Sequence, residues 1–186
     1  SVTVSMDQYN RNCSNDSMKF TFVVSEIEQY NTGDRIGFYN NIRTVSNYCK
    51  DKKISRRVYQ GWGNDADIDS IVKYTDCIYL HAYGVYSNYS NPGAWVYGYT
   101  KTRLSKYALA AAKYQKKYSV VIIYSTENPD QTKTQFGYKY FLSHKWEDIH
   151  TSFVSYYNAN STQVMKDNLI LSGSQIFVED QAKQIR

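Results

Sequence analysis

Short apolar runs of strand character alternate with amphipathic helical stretches along most of the chain. Residues 20–28, 57–62, 77–83, 119–124 and 168–178 read as strands. Between the first two, Ile36, Tyr39, Ile42, Val45 and Cys49 recur at three- or four-residue spacing, with Asp34 at the start. Asn64-Asp65-Ala66-Asp67 then opens a helix bearing Ile68, Ile71 and Val72; its acidic first turn suits the helix dipole. Residues 85–99 read as a polar loop rich in Tyr, Asn and Gly, with Pro92 inside it. Thr102 is the expected cap of the next helix, whose inner side is Leu104, Tyr107, Ala108, Ala111 and Tyr114. The run from Ser119 to Tyr124 is continuously apolar, as in a strand covered on both faces. Trp146, Ile149, Phe153 and Tyr157 mark a fourth helix. Residues 2–6 read as a further strand and residues 179–186 as the start of a helix.

Strict strand–helix alternation implies parallel pairing through right-handed crossovers. Two architectures satisfy it: a (β/α)8 barrel and an open doubly wound sheet. No Gly-rich phosphate loop follows any strand, which disfavours a nucleotide-binding Rossmann sheet. Strand ends rich in polar side chains suit a barrel, whose sites collect at the carboxyl-terminal rim. The chain has 186 residues, however, and complete barrels usually need at least ~200, more typically ~250. The expected fold is therefore a single α/β domain over residues 1–186. It is a partial or degenerate (β/α)8 TIM-type barrel lacking amino-terminal strand–helix units, or else a smaller open α/β sheet. Half a barrel leaves two unpaired edges, so a homo-oligomer or pairing with a missing amino-terminal half is expected.

Composition excludes several classes. The hydrophobic fraction of 42% and charged fraction of 21% are those of a globular chain. Net charge is +5, but the basic residues fall mostly at expected helix ends: Lys50, Lys52 and Lys53, Arg56 and Arg57, and Lys113, Lys116 and Lys117. No basic stripe or nucleic-acid motif accompanies them, so no nucleic-acid partner is expected. No apolar run approaches membrane-spanning length. Cys13, Cys49 and Cys77 fit no zinc or redox spacing, and an odd count leaves at least one free thiol. His144 and His150 lack a carboxylate at metal-ligand spacing, so neither a metal nor a cofactor is expected. The chain begins at Ser1, and an extracellular or periplasmic location is the expectation. Tyr occurs 20 times; its apolar ring and polar tip suit half-exposed surfaces and sugar-stacking sites.

The first strand carries the chemistry. In Phe20-Thr21-Phe22-Val23-Val24-Ser25-Glu26-Ile27-Glu28 the period-two alternation puts Phe20, Phe22, Val24, Glu26 and Glu28 on one face. Two neighbouring carboxylates raise the pKa of at least one, which prepares a general acid. The other strand ends supply Gln60 and Trp62, His81 and Tyr83, Tyr124 and Glu127, and Gln175. Carboxylates for acid and base, rings to stack on sugars, and Gln or His for hydroxyls are the parts of a sugar-cleaving site. Each has a plainer reading. The two acids could pair with Arg or Lys on a strand end, Trp62 could pack the rim, and His81 could be a hydrogen-bonded core residue. Cys49 and Ser25 have no evident His–acid relay.

This pattern resembles the second half of a family 18 glycoside hydrolase barrel, the chitinase and endo-N-acetylglucosaminidase type. Val24-Ser25-Glu26-Ile27-Glu28 is similar to the end of that family's fourth strand, with Glu28 at the place of the proton donor. His81-Ala82-Tyr83 is similar to the sixth strand, which ends in a Tyr that helps hold the substrate N-acetyl group. The likeness spans roughly residues 20–177. It departs where Val24 replaces an acid, where Glu26 replaces Asp, and where Gly84 follows Tyr83 in place of an acid. The resemblance implies a domain acting on, or binding, N-acetylglucosamine-containing glycans, with Glu28 and Glu26 catalytic. Tyr83, Trp62, Gln60, His81, Tyr124, Glu127 and Gln175 would contact substrate. The departures leave a non-catalytic carbohydrate-binding or assembly module as the alternative, with the Tyr-rich segment from Tyr86 to Tyr99 as its contact loop.

Overall fold

The computed structural model describes residues 8, 10–12, 22–26, 35–50, 52, 54–59, 65–82, 91–125 and 146–177. Its elements alternate as the sequence pattern requires. They are β1 (Phe22–Glu26), α1 (Arg35–Lys50), β2 (Ser55–Tyr59), α2 (Asp65–Tyr74), β3 (Cys77–Ala82), α3 (Pro92–Lys113), β4 (Tyr118–Ser125), α4 (Trp146–Asn160), α5 (Gln163–Asn168) and β5 (Leu169–Phe177). The five strands form one sheet in the order β1-β2-β3-β4-β5, and every pairing is parallel. The opening segment at residues 2–6, the closing segment at residues 179–186 and Cys13 lie outside the described residues.

Sequential order has a geometric consequence. Right-handed crossovers between successive neighbours all pass on the same side of the sheet. Accordingly, Val58, Ile78, Leu80, Val120, Ile122 and Tyr124 of the strands pack in one cluster with residues of all five helices, including Ile42, Ile71, Leu104, Phe153 and Met165. The residues between them on the strands form a separate cluster, Cys77, Tyr79, Val121 and Ile123, which no helix residue joins. The sheet thus has a helix-covered face and a second face of different chemistry.

Tyrosine fills the helix-covered face more deeply than its polar tip suggests. Tyr107, Tyr118 and Tyr124 have no exposed surface. Tyr107 and Tyr118 stack with centroids 5.7 Å apart. The Tyr118 hydroxyl is within 2.6 Å of Thr75 Oγ1, which donates in turn to the Ile71 carbonyl at 2.6 Å. Burial of the ring is thereby combined with a satisfied hydroxyl. Asp67 is also fully buried and accepts a hydrogen bond from the Tyr39 hydroxyl, which ties α1 to α2.

The structure corrects three local expectations. Residues 92–99 belong to α3 and not to a loop: Asn91 is the N-cap, its side chain accepting from Ala94 N at 3.0 Å, and Pro92 stands in the first turn. Both are ordinary helix-start residues, and Thr102 falls inside the helix. Strand β2 runs Ser55–Tyr59 and starts two residues before the expected 57–62, which puts Arg56 on the strand beside Arg57 and not at a helix end. The short helix α5, over residues that carried no expectation ahead of a strand start near 168, leads directly into β5.

Helix α3 meets α4 at close range at Gly93. Its N–H donates to Ser152 Oγ at 3.1 Å, and a Cβ at this position would lie 2.3 Å from the Ser152 backbone. Gly98, five residues on, has open space where a Cβ would go. The two glycines of one helix should therefore respond oppositely to alanine. Gly93→Ala is expected to lower unfolding stability by roughly 1–3 kcal/mol through overpacking, whereas Gly98→Ala should raise it by about 0.5–1 kcal/mol through helix propensity. Urea unfolding of both variants measures the sign directly.

Candidate functional site

Register defines what the second face brings together. Arg57, Cys77 and Ser119 align in one row across β2, β3 and β4. The next row toward the carboxyl ends holds Glu26, Tyr59, Tyr79, Val121 and Gly173. The row after that holds His81, Ile123 and Gln175. Position 26 thus ends β1 within the row of Tyr79, one row below His81. Glu28, Gln60, Trp62, Tyr83 and Glu127, together with the side chains of Glu26 and Gln175, lie outside the described residues.

His81 is 6% exposed. Its carbonyl accepts from Arg103 Nη2 of α3 at 2.7 Å, which fastens the carboxyl end of β3 to the helix behind it. Arg103 in turn lies over the Tyr99 ring, 5.2 Å from its centroid, and Tyr99 stacks on Trp95 at 5.5 Å. Trp95, Tyr99 and Arg103 recur every four residues, so they form one stripe along α3. The part of the Tyr-rich segment from residue 92 on is helical support and not a free contact loop. Burial lowers the Arg103 pKa from its ordinary value. Burial, helped by the Arg103 charge, lowers that of His81 to about 4. At neutral pH His81 is an uncharged imidazole, suited to hydrogen bonding and not to donating a proton as a cation.

Tyr124 does not share this face. It belongs to the helix-side cluster, has no exposed surface, and directs its hydroxyl to within 3.5 Å of His150 Nδ1 on α4. Burial raises its pKa well above the phenol value. A substrate on the side of His81 cannot reach it, so its expected place among the substrate contacts is not met. The reason is one step of alternation: His81 pairs with Ile123, and Tyr124 pairs with Ala82 on the opposite face.

At the other end of the strands an ion pair joins three elements. Arg56 on β2 donates through Nη2 to Asp76 Oδ1 at 2.5 Å and through Nε to Oδ2 at 3.0 Å. Its backbone N–H also reaches Oδ2 at 2.9 Å, and Nη1 donates to Ser46 Oγ of α1 at 2.8 Å. Burial by itself would raise the Asp76 pKa, but the Arg56 hydrogen bonds outweigh it and hold the carboxyl below its usual value. No sequence pattern announced this pair, because its members are 20 residues apart and meet only through parallel pairing.

Cys49 and Cys77 are buried free thiols. Among the described residues no cluster of three or more His, Cys, Asp or Glu side chains is placed to hold a metal, and no helix is long and apolar enough to cross a membrane. No protein-family model matches the chain, and no curated protein matches it.

The folded-state pKa of His81 lies below that of an unfolded histidine, near 6.5. The unfolded chain therefore takes up a proton between pH 6.5 and about 4 that the native site refuses. The native state should lose stability as pH falls through this window, by ~3 kcal/mol at most for this one group. A His81→Gln variant should show a flatter pH dependence from 6.5 to 4 in thermal unfolding, and an NMR titration should find the His81 ring neutral at pH 5. An imidazolium at that pH would contradict the assignment.

Proposed function

We propose that the chain is a glycoside hydrolase-like domain of barrel type that acts on, or binds, N-acetylglucosamine-containing glycans. One observation supports this above the rest. The backbone of Glu26 ends β1 in the register row of Tyr59 and Tyr79, next to the row of His81. In barrel enzymes the carboxyl ends of parallel strands are where catalytic residues gather. A sheet wound in sequential order, with its helices on one side, is also the arrangement from which a barrel wall is built.

In this reading Glu28, two residues beyond the end of β1, protonates the glycosidic oxygen. The substrate's own acetamido oxygen attacks the anomeric carbon, as in substrate-assisted hydrolysis. Glu26 is the neighbouring charge that keeps the Glu28 carboxyl protonated near neutral pH. Tyr83 holds the acetamido group, Trp62 stacks on a sugar ring, and Gln60, Glu127, Gln175 and neutral His81 take hydroxyls. Tyr124 has no part in it.

Hydrolysis of chitooligosaccharides by the wild type and by Glu28→Gln tests the mechanism. Loss of a general acid is expected to slow turnover by about 100-fold or more. Equal rates in the two proteins would remove Glu28 from catalysis. Saturable glycan binding without turnover in either protein would convert the domain to a carbohydrate-binding module. Absence of both binding and turnover would end the glycan assignment.

A further inference from the structure

The two ladders of β3 end at different places. Among the described residues the β2–β3 ladder stops at Tyr59 and Tyr79, whereas the β3–β4 ladder runs on to Ala82 and Tyr124. A backbone carbonyl on such an extension needs a partner from elsewhere. For His81 that partner is Arg103 of α3, whose Nη2 donates to the carbonyl at 2.7 Å. A charge-assisted hydrogen bond of this kind is stronger than an ordinary ladder bond.

Arg103 is itself held in place. Its guanidinium lies 5.2 Å from the centroid of the Tyr99 ring. Trp95 backs the same ring at 5.5 Å, with the planes 10° apart. Stacking on an aromatic face suits a planar guanidinium, and it confines a side chain that otherwise samples many rotamers. The contacts thus lead from Tyr99, which is 39% exposed, to the backbone of the buried His81. The carbonyl carbon of His81 is bonded to its own Cα, so fixing that peptide plane fixes the direction in which the side chain leaves the strand. The same contact brings a positive charge toward the ring. Ile123 stands beside His81 on β4 and brings no charge; burial and the Arg103 charge are the two effects that lower the His81 pKa.

We propose that Arg103 is a positioning residue for His81: clamped by Tyr99 and Trp95, it holds the His81 carbonyl so that the imidazole is presented in one fixed orientation at the carboxyl end of β3. What the imidazole meets there rests on the glycan reading; how it is held does not. In that reading a fixed, uncharged ring orients a substrate hydroxyl, and Arg103, Tyr99 and Trp95 act on the sugar only through it.

NMR titration of the His81 ring in the 186-residue chain and in three variants tests the proposal. Arg103→Met keeps the length and removes both donor and charge, so the His81 pKa should rise from about 4 by roughly 0.5–2 pH units. Arg103→Lys restores a cationic donor and should recover at least half of that rise. Tyr99→Leu keeps the charge but loosens its clamp, and should give a smaller rise in the same direction. If chitooligosaccharides are hydrolysed, the acid limb of kcat/KM against pH should move upward with the His81 pKa. A general loss of stability would not move the two together. An unchanged His81 pKa in a folded Arg103→Met overturns the proposal, as does the absence of recovery in Arg103→Lys. Should Arg103→Met not fold, an unchanged pKa in Tyr99→Leu overturns it. Lack of both turnover and binding in the wild type ends the glycan reading and leaves the ring titration to decide this one.

Discussion

Everything in this molecule depends on the order in which its parallel strands are laid down. Each strand pairs with the next one in sequence. The chain never reverses direction across the sheet, so its crossovers accumulate on one side. A doubly wound sheet would use both faces for helix packing and make both apolar. Here the demands on the two faces differ. The helix side takes Val58, Ile78, Leu80, Val120 and Ile122 with the large tyrosines. The other side mixes Tyr79, Val121 and Ile123 with Ser55, Arg57, Ser119 and His81. One-sided winding gives the second face a different set of side chains, yet Cys77, Tyr79, His81, Val121 and Ile123 on it are buried as well.

Much of this was legible in the sequence, and the exceptions share a cause. Helices α1 and α2 and strands β3 and β4 fall where periodicity and breakers put them, within a residue or two. The start of α3 is masked in the sequence because Tyr, Asn and Gly in residues 85–99 resemble loop composition. The decisive signal was local: Asn91 followed by Pro92, a cap and a first-turn residue. Tyr124 shows the opposite difficulty. In a continuously apolar run each residue is a plausible core residue, so the run does not say which face any of them takes. Only register against β3 places Tyr124 with the helices and Ile123 with the other face. The same applies to Arg56 and Asp76, whose contact spans two elements and has no signature along the chain. Of the glycan-site candidates, the sequence placed Glu26 at a strand end and His81 late in another strand, as the structure has them.

The two ends of the strands are secured differently, and this bears on what each can do. At the amino ends Arg56 is spent on Asp76, Ser46 and its own backbone contact, so its charge is fixed in a rigid knot between α1, β2 and the turn before β3. Arg57, the next residue, points to the other face because alternation requires it. Adjacent arginines on one strand thus serve two faces, one in structure and one in a polar cavity. At the carboxyl ends, Arg103 reaches in from α3 and grips a backbone carbonyl, leaving the His81 side chain on the opposite side of that attachment.

These attachments separate the two regions chemically as well as in space. His81 stands in a row with Ile123, a dry surrounding that keeps the imidazole neutral. Neutral hydrogen-bonding groups suit a neutral, hydroxyl-bearing ligand, since such a ligand requires orientation and brings no charge to be balanced. The amino-end cavity is lined by Arg57, whose guanidinium donates to the Tyr79 hydroxyl, and by Asp76. Tyr79 stands in the row between Arg57 and His81, and its hydroxyl accepts from Arg57, so its ring separates the arginine from the histidine.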